Sequence, residues 1–243
     1  MDERLTIATL DSPGCPVGTR IGSFIASGVS SELDIASTVT HNLSKGLALL
    51  ESGDADVLAL PAELIHGNMM EILKSGCKVV GARTPVRPYP VLVSDNKIQY
   101  QPKSAILLCS NKLTRRQLRR SRRGLRVLDP EAFASIEKKG DVPSDPVLKA
   151  KWMEGLRDTG EIDGFVISRG VYDGANLVGR RHSLLPDGLN EGDPDFLPPA
   201  YSDLIVLLAR NRFPNSISKE ISEKEGETCW WVQNSMLGSL DLK

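Results

Sequence analysis

Along this chain, short continuously apolar runs alternate with longer stretches whose apolar residues recur every three or four positions. An α/β architecture produces that alternation: strands covered on both faces are apolar throughout, and the helices between them carry one apolar stripe. Leu5–Thr9 predicts a first strand, and the Ser12-Pro13 turn after it leads to a helix through Arg20–Ala26. Leu33–Val39 predicts a second strand, Leu43–Ser52 a helix with Leu47, Leu49 and Leu50 inward, and Asp56–Leu60 a third strand. Val79–Ala82 and Val91–Val93 supply two more strands around a corner at Pro85, Pro88 and Pro90.

After the polar break Asp95–Lys103 the pattern starts again. Ala105–Cys109, Arg126–Leu128 and Gly164–Ile167 read as strands; Thr114–Arg123, Phe133–Lys138, Lys149–Arg157 and a Gly-rich stretch to Leu177 read as helices. Leu204–Leu208 is the last strong strand, placed to return to the first unit. The expected division is therefore residues 1–98 with 196–212 as one domain and 99–195 as a second. Residues 213–243 form a Ser/Glu-rich tail with an apolar cluster at Trp230, Trp231 and Leu237.

Composition narrows the chemistry. A net charge of -1 gives no global attraction to nucleic acid or membrane, so any such binding must be local. No run approaches the roughly 20 apolar residues of a membrane span, and the acidic start lacks the apolar core of a leader. A cytoplasmic protein without a membrane partner is the expectation. Cys15, Cys77, Cys109 and Cys229 are scattered, as are His41, His66 and His182, so no metal site is expected.

The most unusual stretch is TRRQLRRSRRGLR, with seven arginines between Arg115 and Arg126. On a helix, Thr114, Leu118, Ser121 and Leu125 form an inward stripe and the arginines fan over the rest. Lys112, Arg115, Arg116, Arg119 and Arg120 are the candidate anion ligands there, with a protein or RNA partner of Arg115–Arg126 as an alternative use. The plain alternative is a basic face paired with Asp129, Glu131 and Glu137. Ser12, with the backbone N–H groups of Gly14 and Cys15, is a second candidate anion site at a helix start. Arg83 and Arg87 are minor candidates beside the Pro-rich corner.

Several stretches in order resemble porphobilinogen deaminase (hydroxymethylbilane synthase). LTIATLDSP is similar to that family's opening strand and turn, ALLESGDADVLAL to the run before its catalytic loop, and RRQLRRSRRGLRVL to the start of its second domain. GEIDGFVISRGVYDGANLVGRRHSLLPDG and FLPPAYSDLIVLLAR are similar to two later segments. The resemblance implies an α/β fold of two domains of the periplasmic-binding-protein type II kind around a central cleft, and an anionic ligand such as a tetrapyrrole. The family's third domain carries a dipyrromethane cofactor on cysteine, and the 213–243 tail stands in its place.

The family's chemistry is mostly replaced. Its catalytic aspartate falls on Leu64 and the preceding lysine on Glu63, its paired arginines on Leu113 and Thr114, and its later turn on Tyr201-Ser202-Asp203. The resemblance thus implies a non-deaminating relative that binds a tetrapyrrole or other multiply charged anion as carrier, regulator or assembly component, with no cofactor. Under the alternative of an active deaminase, Glu63 is the candidate carboxylate and Cys229 the attachment point for dipyrromethane. A third alternative is a structural subunit of a ribonucleoprotein or multisubunit complex.

Overall fold

In the computed structural model, which describes residues 4–28, 33–186 and 195–241, the continuously apolar runs become buried strands. Asp2 and Glu3, the acids read against a leader, lie outside the described residues. β1 (Leu5–Leu10) leads into α1 (Val17–Ala26) and β2 (Ile35–Thr40) into α2 (Leu43–Ser52). β3 (Val57–Pro61) is followed by the short helices α3 (Glu63–His66) and α4 (Met69–Lys74), then by β4 (Cys77–Arg83). The middle of the chain forms β5 (Pro90–Ser94), β6 (Ile106–Cys109), α5 (Lys112–Ser121), β7 (Arg126–Leu128), α6 (Pro130–Glu137), α7 (Pro146–Asp158), β8 (Gly164–Ser168), α8 (Arg169–Ala175) and β9 (Arg181–Ser183). β10 (Ile205–Arg210), α9 (Asn215–Ile221) and α10 (Lys224–Asp241) complete it.

Two compact units result: Met1–Val86 with Ala200–Lys243, and Arg87–Pro199. Each holds one mixed sheet. The first has the order β2-β1-β3-β10-β4, the second β7-β6-β8-β5-β9. In both, a parallel trio is followed by one antiparallel strand: β10 runs against β3 and β4, and β5 against β8 and β9. The first crossing falls at Arg87 and not at residue 99, because Val91, Leu92 and Val93 pair with β8 and β9. Strand register is a tertiary choice that the Pro-rich corner does not encode.

The first unit shows why its strands are apolar throughout. Ile7, Val57, Ala59 and Leu207 pack with Ile21, Phe24 and Ile221 in one cluster. Their neighbours Ala8, Leu58, Leu60 and Leu208 pack with Leu47 and Leu50 in another, so alternate residues of one strand feed opposite faces.

The tail belongs to this unit and protects its edge strand. The Ser218 hydroxyl donates to the Val80 carbonyl, and Ser222 Oγ both accepts from Ala82 N and donates to Ala82 O at 3.0 Å. Four helical residues rise about 6 Å and two strand residues about 6.6 Å, so hydroxyls at i and i+4 meet successive outward positions of a strand. An uncovered edge invites pairing with other chains. Of the tryptophan pair, Trp230 packs against the core while Trp231 remains 68% exposed.

In the second unit the Arg-rich helix forms with Thr114 and Leu118 buried, capped by the Asn111 side chain accepting from Thr114 N at 2.9 Å. It stops at Ser121, earlier than Arg123, and Gly124 turns the chain at φ +92.

Candidate functional site

The carboxyl ends of β1, β3 and β4 and the start of β10 share one edge of the first sheet, since Ile205 lies opposite both Pro61 and Arg83. Loops at such an edge are where α/β proteins hold ligands. Two candidates 51 residues apart meet here: the Ser12 hydroxyl donates to Glu63 Oε1 at 3.2 Å. Asp11 Oδ1 accepts from Gly18 N at 2.7 Å, so a carboxylate of the chain caps the first turn of α1. The Cys15 N–H donates to the Ser12 carbonyl at 3.0 Å.

The Cys15 thiol is no nucleophile. Burial pushes it up to about 12, and Asp203, Glu63 and Asp11 add to the rise while Arg20 opposes it. It stays protonated at neutral pH.

Beside these groups, Arg20 and Arg83 line a hollow of about 450 Å³ formed with Ser23, Phe24, Glu220 and Glu223. Arg20 Nη1 donates to the Asp203 carbonyl at 2.8 Å and meets its carboxylate at 3.3 Å; its Nη2 donates to Thr84 O at 2.5 Å. The Arg83 guanidinium lies 4.1 Å above the Phe24 ring centre, donates to Ile221 O at 2.9 Å and pairs with Glu223. Glu223 in turn accepts from Thr84 N at 2.8 Å. Burial alone would raise the Glu223 carboxyl, but the Thr84 N–H together with Arg83 and Arg20 holds it below its usual range. Asp203 and Tyr201 both adopt left-handed backbone, φ 56 and 60, in the turn entering β10. Such residues cost about 1–3 kcal/mol each and persist where surroundings over-determine them; Asp203 also accepts from Val86 N at 2.8 Å.

The chemistry on offer is recognition by fixed charge. Arg20, Arg83, Glu220 and Glu223 all line the hollow, so its lining carries both signs in balance. The aromatic Phe24 gives it an apolar wall.

The other sequence-derived candidates sit elsewhere. Cys229 lies within α10, half-buried against the core, in a helix and not in a turn. In the second unit, Arg115 is turned inward: its Nη1 donates to Cys109 O at 2.7 Å and Ser110 O at 2.8 Å and pairs with Asp129. Lys112, Arg116, Arg119 and Arg120 are exposed, Arg119 also donating to Val127 O. The Arg122 guanidinium donates to Gln99 O. Arg83 is half-buried, whereas Arg87 is exposed and pairs with Asp173 at 2.9 Å. Arg20, Asp203 and Glu223 were missed, and only Arg83, at the end of an apolar run, carried a sequence signal.

No family model matches the chain, and no curated protein matches it. Solved structures that it resembles include an ABC transporter periplasmic substrate-binding protein from Coxiella burnetii, at 14% identity over 93% of this chain and 94% of that one, TM-score 0.43. The lipoprotein Tp32 from Treponema pallidum matches at 13% identity over 91% and 90%, TM-score 0.43. A nutrient binding protein from Burkholderia cenocepacia, bound to methionine, matches at 12% identity over 93% of both chains, TM-score 0.42. Likeness at this level is too low to carry a ligand from those proteins to this chain.

These findings correct the porphobilinogen deaminase resemblance: the structures named are substrate-binding proteins and lipoproteins, and no family model supports the deaminase. The tetrapyrrole ligand, the place in tetrapyrrole biosynthesis and the cytoplasmic location fall with it, since those structures are described as periplasmic proteins or lipoproteins. The physical reason is visible in the aligned stretches. They match at apolar strand positions that many α/β sheets share, while charged positions such as Leu64 and Thr114 are lost. Among the described residues, no helix is long and apolar enough to cross a membrane.

Proposed function

We propose that this chain is a non-catalytic binding protein of the two-unit α/β kind, of which periplasmic binding proteins are examples, and that its ligand is a small zwitterion. The observation that carries the reading is the hollow at the carboxyl edge of the first sheet, lined by Arg20, Arg83, Glu220, Glu223 and Phe24. Its volume of about 450 Å³ lies within the 300–1,000 Å³ range of small-molecule sites. A carboxylate fits the positive potential of Arg20 and Arg83, which the fold already fixes on Asp203 and Glu223, an ammonium group fits Glu220, and an apolar side chain fits exposed Val86. An α-amino acid is the simplest molecule with all three.

The fold supports the same reading. Both units repeat one sheet order, and the chain crosses between them twice. Open α/β sheets of this kind hold ligands outside the carboxyl ends of their strands.

The test is thermal unfolding of the protein with each proteinogenic amino acid at millimolar concentration. A ligand at 100 times its Kd stabilises by about 2.7 kcal/mol, which at 2–4 °C per kcal/mol is a rise of roughly 5–10 °C. One or a few amino acids should give that rise in the wild type, and Glu220→Gln should reduce it. If no zwitterion raises the midpoint, or acetate and methylamine do so equally well, the reading fails.

A further inference from the structure

In the second unit, three arginines from separate stretches of chain meet at one exposed carboxylate, Asp173 on α8. Arg169 stands one helical turn earlier, and its Nε donates to Asp173 Oδ1 at 3.0 Å and Oδ2 at 2.9 Å. Arg87 precedes β5, and its Nη1 donates to Oδ2 at 2.9 Å. Arg181 opens β9, the edge strand, opposite Val93, and its Nη1 approaches Oδ1 to 3.9 Å. Donors that share an oxygen stand side by side, so the Asp173 carboxylate itself places the three guanidinium groups together.

The charge there is unbalanced, with one carboxylate among three cations. Among the described residues, no second carboxylate forms an ion pair with Arg169 or Arg181. A guanidinium carries five N–H donors, and Arg169 gives Asp173 its Nε. The Arg181 guanidinium lies 5.1 Å from the Tyr172 ring centre, and that ring is anchored by its hydroxyl donating to Gly179 O at 2.8 Å. A contact through the ring face fixes the head without consuming an N–H. Arg169 is half-buried, while Arg87 and Arg181 reach solvent.

We infer that this cluster binds a phosphate dianion, either free or at the end of a phosphomonoester. Such a group brings nearly two charges and three terminal oxygens at neutral pH, and guanidinium forks match those oxygens in geometry. Asp173 holds three like charges side by side and offsets one of them, which leaves the excess that a dianion neutralises. The site lies within the second unit and does not depend on the zwitterion reading.

The experiment is a calorimetric titration of the full chain with inorganic phosphate at low salt, with glycerol 3-phosphate and acetate as comparison probes. Saturable phosphate binding is expected, with acetate at least tenfold weaker. Arg181→Gln, on an exposed edge strand, should weaken phosphate at least tenfold. Asp173→Asn keeps an acceptor for the arginines but removes the competing charge, and should tighten phosphate at least threefold. Ser23→Trp, in the other unit, should change nothing. Glycerol 3-phosphate binding more tightly than phosphate would identify a phosphomonoester as the source. Phosphate binding at least as tightly would identify the free anion, and either result upholds the site. Equal phosphate binding by the wild type and Arg181→Gln, no gain in Asp173→Asn, or acetate binding as tightly as phosphate would overturn it.

Discussion

Gly226 and Gly238 lie in the same helix, α10, and the structure sets opposite outcomes for the same substitution at the two positions. A Cβ at Gly226 would stand 2.5 Å from the Arg83 carbonyl carbon, 2.7 Å from Thr84 N and 2.8 Å from Arg83 Cα. These are backbone atoms and cannot rotate away. Restoring ordinary contact at 3.4 Å requires α10 and the end of β4 to part by about 0.9 Å. That displacement stretches the Glu223–Thr84 and Glu223–Ala82 hydrogen bonds, now 2.8 and 2.9 Å, beyond useful length. Overpacking costs about 1–3 kcal/mol and each lost hydrogen bond about 0.5–1.5 kcal/mol, against a gain of up to about 1 kcal/mol for alanine over glycine in a helix. Gly226→Ala should therefore destabilise by roughly 1–5 kcal/mol and lower the midpoint by about 2–20 °C. Gly238 has open space around its Cβ position, so Gly238→Ala should keep only the propensity gain and raise stability by up to about 0.8 kcal/mol. Urea unfolding followed by circular dichroism measures both. Matching effects of the two substitutions would mean that α10 does not seat on β4.

Three further outcomes follow from the same reading. Arg115→Ala removes the bonds to Cys109 O and Ser110 O and leaves Asp129 without its cation; it should cost about 2–4 kcal/mol in urea unfolding. Exposed Arg116→Ala should stay within about 0.5 kcal/mol, and equal losses would show that Arg115 is not the fastening residue. Burial, aided by Arg180 and Lys97, pulls the His182 imidazole below its ordinary value, against the Ser94 carbonyl. Below a pH of about 6.5 the unfolded chain takes up a proton that the folded chain refuses. Stability should fall as the pH drops from 7 to 5, and His182→Gln should flatten that slope; an unchanged slope would contradict the assignment. With a thiol reagent under native conditions, half-buried Cys229 should react first, and buried Cys15, Cys77 and Cys109 should wait for unfolding. Early loss of Cys15, read by peptide mass, would contradict its raised pKa.

Strands such as Val57–Leu60 and Ile205–Leu208 were legible because burial on both faces demands an unbroken apolar run. The stripe of the Arg-rich helix was legible for a similar reason: Thr114 and Leu118 keep helical spacing whatever surrounds them. α3 and α4 were not, being short pieces either side of Gly67-Asn68 with no sustained period. β9 escaped because Arg181, His182 and Ser183 pair through backbone groups while carrying polar side chains. The site was the least legible part. Arg20 finds Asp203 across 183 residues and Arg83 finds Glu223 across 140, and nothing local marks either pair. Ser12 was singled out as an anion site at a helix start and Glu63 on a family pattern, and their contact arises because β1 and β3 are neighbours. The deaminase resemblance misled because ordered apolar fragments report a kind of sheet, whereas function rests on the charged groups at its edges.

The central claim is that a small zwitterion occupies the hollow walled by Arg20, Phe24, Arg83 and Glu220. Calorimetric titration of the wild type and Ser23→Trp with the stabilising amino acid tests it most directly, because Ser23 is exposed on α1 and a tryptophan there fills the hollow without disturbing the core. One site per chain in the wild type, weakened at least tenfold in Ser23→Trp with its unfolding midpoint unchanged in the absence of ligand, is the predicted result. Equal affinity in the two proteins would contradict the account.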